Sequence, residues 1–425
     1  KTPGTPAAAA TGLDGYPLAQ KGKGMKAMKM ALYSSVFGDT FSDVMLIFAA
    51  GFLASIALNF GPPEYALLTG FSLICISSLT GNSIWKGLLS VFLGMIIGMI
   101  GLDPITATPR LTFDYLELEE GIGLIPMLIG TLAVSEAIRQ MEQPVKKLAS
   151  STLIFSKKKI DNIVTWSEFK STLPTILKSS GLGTLIGAMP GLGSTIAAFL
   201  AYGEAKRSSK FPEEFGKGSL EGVAASESAN NAVSGSNMIP LLAFGIPGDI
   251  AAALIMGAFL IQGITLGPVV FQDNPIEIYA IFAALIVANL FNLVLGHGLI
   301  RMCKYVVTVP KRLLFPAVLV VASAGAYALR GSIFDIQLVF IFGILGYLMI
   351  KCDIPTVPML IGFILVPILE ENLRITILLG SSHDLNIGFI FTRPAFLILV
   401  VIMAAALFVV INRRKLQDFK ELTNK

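Results

Sequence analysis

Residues 181–195 read Gly181-Leu-Gly-Thr-Leu-Ile-Gly-Ala-Met-Pro-Gly-Leu-Gly-Ser-Thr195, and residues 244–249 read Phe244-Gly-Ile-Pro-Gly-Asp249. Between these two Pro-Gly pairs lies a polar run, Glu221-Gly-Val-Ala-Ala-Ser-Glu-Ser-Ala-Asn-Asn-Ala-Val-Ser-Gly-Ser-Asn237. In a soluble protein the whole stretch would pass for loop. Here the chain is 54% hydrophobic and only 14% charged, with a mean hydropathy of +0.74. Soluble domains carry about 25% charged residues, so the composition predicts an all-α polytopic membrane protein and excludes a nucleic-acid binder. Non-helical backbone at membrane depth is tolerated only where protein buries it or where it lines a watery cavity. Secondary transporters bind substrate at such broken helices. The stretch is therefore expected to hold the site.

Apolar spans surround it at about 43–59, 64–80, 84–102, 121–138, 278–300, 313–329, 333–350, 356–372 and 386–411, each near the ~20 residues that cross a bilayer. Basic loops at 21–29, 139–178, 206–217, 301–312 and 413–415 belong in the cytoplasm by the positive-inside rule. Then 60–63, 103–120, 271–277 and 373–385 fall outside. Residues 179–205 become a re-entrant hairpin or closely paired helix couple, and 218–270 a net single crossing. The three cysteines and two histidines, His297 and His383, are isolated, and no disulfide framework or Cys-x-x-Cys metal pair can be read from them. They offer no Ser/His couple for an intramembrane enzyme. Phe215-Gly-Lys-Gly-Ser219 is not a P-loop, because Lys217 is followed by Gly.

Two short matches in the same order predict a repeat. Pro3-Gly-Thr-Pro-Ala-Ala-Ala9 resembles Pro247-Gly-Asp-Ile-Ala-Ala-Ala253, and Gly81-Asn-Ser-Ile-Trp85 resembles Gly331-Ser-Ile-Phe334. The basic loop at Lys21–Lys29 lies inside while its counterpart near 271–277 lies outside, so the two repeats are expected to be inverted. Their bounds are 1–138 and 173–411, joined by a cytoplasmic linker at 139–172 and followed by a tail at 412–425. A segment before Pro3 is expected to hold the first repeat's own hairpin.

At each Pro-Gly break, proline removes an amide donor and glycine permits unusual dihedrals. The helix that follows would present free amides and a positive dipole end, a setting for a carboxylate. Substrate ligands are therefore expected at Pro190, Gly191, Gly193, Ser194, Thr195, Pro247 and Gly248, with Asn230 and Asn231 adding amides. Pro3, Gly4 and Thr5 are the stub of the opposite half-site. Asn230, Asn231 and Ser234 are candidate oxygen ligands for Na⁺. Each has a plainer reading: a simple kink at Pro190, a surface loop at 226–234, and a helix cap at Asp249. Gly183, Gly187 and Gly191, like Gly94 and Gly98, are spaced for close helix packing.

Taken together, Gly187-x-x-Pro-Gly-x-Gly193, Phe215-Gly-Lys-Gly-x-x-Glu-Gly-Val-Ala224, Glu227-Ser-Ala-Asn-Asn-Ala232 and Gly245-Ile-Pro-Gly248 resemble the large membrane subunit of the tripartite tricarboxylate transporters. Asp14-Gly-Tyr-Pro-Leu-Ala19, Arg110-Leu-Thr-Phe113 and Pro367-x-x-Glu-x-x-Leu-Arg374 extend the resemblance along the chain. Ser226 stands where that family is expected to have proline. The resemblance implies a carrier of the bacterial inner membrane, working with a small membrane subunit and a periplasmic solute-binding protein. It implies uptake of citrate or related carboxylates coupled to an ion gradient, Na⁺ first. A channel lined by the same two polar breaks is the alternative.

Overall fold

In the computed structural model, residues 7–79, 83–103, 105–142, 156, 158–189, 193–306, 311–382 and 387–404 are described. The first elements are α1 (Ala8–Gln20), α2 (Gly24–Ala57), α3 (Pro62–Leu79), α4 (Ile84–Gly98) and a two-residue antiparallel pair, β1 (Gly101–Leu102) with β2 (Pro109–Arg110). Then come α5 (Leu116–Glu119), α6 (Leu124–Leu128) and α7 (Ser135–Glu142), the last two joined by a π-helical turn at Ile129–Val134. There follow α8 (Trp166–Gly187), α9 (Gly193–Ser208), α10 (Leu220–Phe244), α11 (Ile250–Ile261), α12 (Val270–Asp273) and α13 (Pro275–Val306). The chain continues through α14 (Lys311–Arg330), α15 (Ile333–Lys351) and α16 (Thr356–Ser382). Among the described residues, four helices are long and apolar enough to cross a membrane, α2, α13, α15 and α16. Shorter apolar helices add to them.

The chain forms two compact units, residues 1–55 with 144–310 and residues 56–143 with 311–425. This division follows packing, and it takes elements from both sides of the repeat expected from sequence.

In the first unit α10 lies against α8, α9 and α1. It is helical throughout Leu220–Phe244, so the polar run between the Pro-Gly pairs is not loop. The reason is burial. Ser226, Ser228 and Ser236 turn their hydroxyls back onto the carbonyls of Gly222, Ala224 and Ala232 at 3.0, 2.8 and 2.7 Å, satisfying themselves within the helix. The small side chains of Ala224, Ala225, Ala229 and Ala232 are fully buried and let neighbouring backbones close in. At Gly38 of α2 a methyl would overlap the carbonyl of Ser228, and at Gly183 of α8 that of Ala229.

The first span also begins earlier than hydropathy places it. α2 starts at Gly24 rather than near 43, because Ala27 and Met30 pack with Leu18, Ile176, Val223 and Ala224. Its basic residues are accommodated: Lys26 donates to Glu168 Oε1 at 2.6 Å. Glu168 is also the third residue of a capping box on Thr165 that starts α8. The Phe215–Ser219 loop wraps a carboxylate rather than a phosphate. Asp14 Oδ1 accepts from the amides of Gly216, Gly218 and Ser219 at 2.8, 2.8 and 2.9 Å, and Oδ2 from the Tyr202 hydroxyl at 2.9 Å. Glycine is needed there because φ is +81° at Gly216 and +108° at Gly218.

In the second unit α16 packs on α3 and α4, and α15 on the π-helical turn. The spacing of Gly94 and Gly98 serves packing, since a methyl at either would strike the backbone of α16 at Met359 or Phe363. Asp103 and Glu370 share Arg374 at 2.9 and 2.6 Å, and Glu370 also takes Arg110 at 2.6 Å. Glu64, fully buried, is held by Arg393 at 2.5 Å. Outward faces stay apolar, as at Leu89, Phe92 and Ile96 of α4, which suits lipid.

Candidate functional site

Within the first unit a cavity of about 470 Å³ opens beside the second Pro-Gly break, a size suited to a small-molecule site. Five helices contribute to it. α2 supplies Asp39 and Asp43, the start of α9 supplies Ser194, and α13 supplies Asn289. α10 brings Asn230, Asn231, Ser234 and Asn237, and the head of α11 brings Asp249, Ala251 and Ala252.

The polar groups are arranged by helix periodicity. Asp39 and Asp43 are four apart on α2, while Asn230, Ser234 and Asn237 fall at i, i+4 and i+7 on α10, one face in each case. The two faces meet at the cavity, where the Ser234 hydroxyl approaches the Asp39 carboxylate. Asp43 accepts from Asn289 Nδ2 at 2.7 Å, and Gly235 leaves room for it, since a methyl there would overlap Asp43 Oδ1. Asn231 Nδ2 donates to Ser35 Oγ at 2.8 Å and to the Glu227 carbonyl at 3.0 Å, and Ser35 donates to Glu227 Oε2 at 2.9 Å.

Asp249 does what a helix cap does and also lines the cavity. Its Oδ1 accepts from the Ala252 amide at 3.0 Å. Asn237 approaches the Asp249 carboxylate without completing a hydrogen bond. It is 2% exposed, and neither atom of its amide has a partner. A buried polar group left so costs about 1–3 kcal/mol, which makes Asn237 the anomaly of the site. Gly248 is glycine because a methyl would collide with the Asn237 carbonyl oxygen and come within 3.4 Å of the Gly187 carbonyl. The end of α8 and the turn into α11 thus converge.

Of the residues expected from sequence, Ser194, Asn230, Asn231 and Ser234 do line the cavity. Gly193 opens α9 with φ +67°, and Thr195 sits half-buried in its first turn. Pro247 and Gly248 are buried and are not among the residues that line the cavity. Pro190, Gly191, Pro3, Gly4 and Thr5 lie outside the described residues, as do His383 and residues 143–155 of the linker at 139–172. Sequence reasoning missed Asp39, Asp43, Asn237 and Asn289. The signal for the first two was legible: an acidic pair one helical turn apart in an apolar span is a functional mark. Starting the span at 43 hid it. His297 does not reach the cavity lining. It stacks on Tyr33 with ring centroids 5.6 Å apart.

Comparison with known proteins follows the same stretch. The tripartite tricarboxylate transporter TctA family model matches residues 1–361. An uncharacterized 52.8 kDa protein of the TAR-I ttuC′ 3′ region of Agrobacterium vitis is 38% identical over 372 residues, covering 88% of this chain and 73% of that protein. A second uncharacterized protein, from the TAR-II ttuC′ 3′ region of the same organism, is 44% identical over 192 residues, 45% of this chain and 79% of its own length. No solved structure matches.

Proposed function

The chain belongs to the tripartite tricarboxylate transporter TctA family, a family of multi-pass secondary-transporter subunits, and on that premise we propose that it carries carboxylates inward, coupled to an ion gradient. Na⁺ is the first choice of ion, citrate or another tricarboxylate the first choice of substrate. A small membrane subunit would complete the complex and a periplasmic binding protein would deliver the substrate at the bacterial inner membrane. The protein has no part in covalent chemistry in this reading.

The observation that carries the proposal is the convergence of two helix starts on one polar cavity. Ser194 in the first turn of α9 and Ala251 in the first turn of α11 both face it. Helix N-termini stabilise anions through free amides and the macrodipole. At α11 the Asp249 side chain already takes one of those amides, which leaves the start of α9 as the better anion seat. Asn230 lines the same cavity with an amide that can donate to a carboxylate or present oxygen to a cation, and Asn231, whose Nδ2 is engaged by Ser35 and Glu227, can present its oxygen.

Uptake of labelled citrate and other carboxylates into proteoliposomes, with and without a Na⁺ gradient and the binding protein, tests the reading. Saturable, gradient-dependent uptake is expected. Asn230→Ala and Asn231→Ala should each abolish it at normal expression, and wild-type uptake in both would remove the Asn pair from the site. Linear, non-saturating flux indifferent to the ion gradient would replace the carrier by a channel.

A further inference from the structure

We infer that the α2 side of this cavity is a monovalent-cation site in which Asp39 supplies the charge and Ser234 and Asn237 supply neutral oxygens. The coupling role of that cation rests on the transporter reading above, but its binding does not.

Charge balance is the first argument. Three carboxylates, Asp39, Asp43 and Asp249, line the cavity, and no Lys, Arg or His is among the described residues that do. Carboxylates gathered away from bulk water without a counter-charge are costly, so a cation bound among them lowers that cost whether or not a substrate is present. The three acids are not equivalent. Asn289 satisfies Asp43, and the start of α11 satisfies Asp249. Asp39 is approached by the hydroxyl of Ser234, a group that can rotate to give its oxygen to a cation.

Asn237 is the second, independent argument. Its amide is buried and lacks any partner, although it lines the same cavity and lies three residues along α10 from Ser234. A ligand that accepts oxygen coordination satisfies its carbonyl, and the nitrogen then completes its approach to Asp249. The donor set is all oxygen, which selects a hard cation over a soft one. It combines one carboxylate with neutral groups. Among the described residues no three His, Cys, Asp or Glu side chains gather as a metal cage, so the charge present suits a monovalent ion rather than a divalent one.

The full-length protein, purified in detergent without carboxylate, should melt at a higher temperature in NaCl than in choline chloride of equal ionic strength, and the shift should saturate. Asp39→Asn, which keeps the size of the side chain, should raise the half-saturating Na⁺ concentration at least about tenfold, the loss of one charge-assisted contact. Asn237→Ala should weaken Na⁺ in the same direction. Ser234→Ala gives the same reading if Asp39→Asn does not fold. An unchanged Na⁺ response in these variants overturns the site, as does a wild-type response to pH with none to Na⁺ or K⁺. Na⁺-specific stabilisation lost in Asp39→Asn, without carboxylate uptake by wild type, would overturn the transporter reading and leave the cation site standing.

Discussion

Asp14 shows how much a single carboxylate organises. Three backbone amides and one tyrosine hydroxyl converge on it, and it anchors the loop from which α10 starts. Asp14→Ala strands all four donors and should cost about 3–5 kcal/mol, the usual penalty for removing one partner of a buried charged contact. Asp14→Asn keeps an acceptor and should cost only about 1–2 kcal/mol. Thermal unfolding of the two variants checks the order, and equal losses would contradict it. Asp103 makes a second case, outside the spans. The amides of Thr106 and Ile105 and the Arg374 guanidinium hold its carboxyl well below the ordinary aspartate value of 3.8. A depressed acid contributes stability that is fully present above 3.8 and is lost as pH falls through the lower folded value. Hydrogen exchange in residues 101–110 should therefore stay slow down to about that pH and quicken below it, and Asp103→Asn should exchange fast at neutral pH as well. At this scale the sequence was legible in part. Asn230, Asn231, Ser194 and Ser234 announced themselves as polar groups in an apolar chain, whereas Asn289 looked like any asparagine in a span until α13 brought it to Asp43.

Helix crossings decide the next scale. α2 and α10 touch so closely at Gly38 that a methyl would overlap the Ser228 carbonyl, and a backbone atom cannot swing aside. Gly38→Ala should lower stability by about 1–3 kcal/mol through overpacking, outweighing the ~1 kcal/mol that alanine gains in helix propensity. Gly181→Ala, where nothing lies within 4 Å of the added carbon, is the matching control and should be neutral or stabilising. A melting temperature unchanged in both would mean the crossing is looser than described. The same crossing explains why the polar run of α10 misled a reading by composition. Its serines are polar to a hydropathy count, yet they bond their own helix and pack like alanine. Only the facing helices make that choice favourable.

For the whole molecule, we propose that the two repeats are inverted. Helices α4 and α15 begin at Ile84 and Ile333, inside the matched motifs. Their predecessors α2 and α13 run antiparallel within the first unit, since Leu32 meets Gly296, Tyr33 meets His297 and Asp43 meets Asn289. Counterpart helices of opposite direction are what inversion requires. With the native cysteines replaced, Lys23→Cys and Asp273→Cys should be labelled by an impermeant maleimide from opposite sides of the membrane, and labelling of both from one side would end the proposal. The sequence by itself determined the class of protein, because a chain so poor in charge has nowhere but a bilayer to place its apolar surface. It also marked the two Pro-Gly breaks, because proline and glycine act on backbone wherever they occur. Only the tertiary structure decided which polar groups share the cavity. Asp39 and Asp43 come from α2, Asn289 from α13 and the amide stripe from α10, and no spacing along a chain records which helices will pack together.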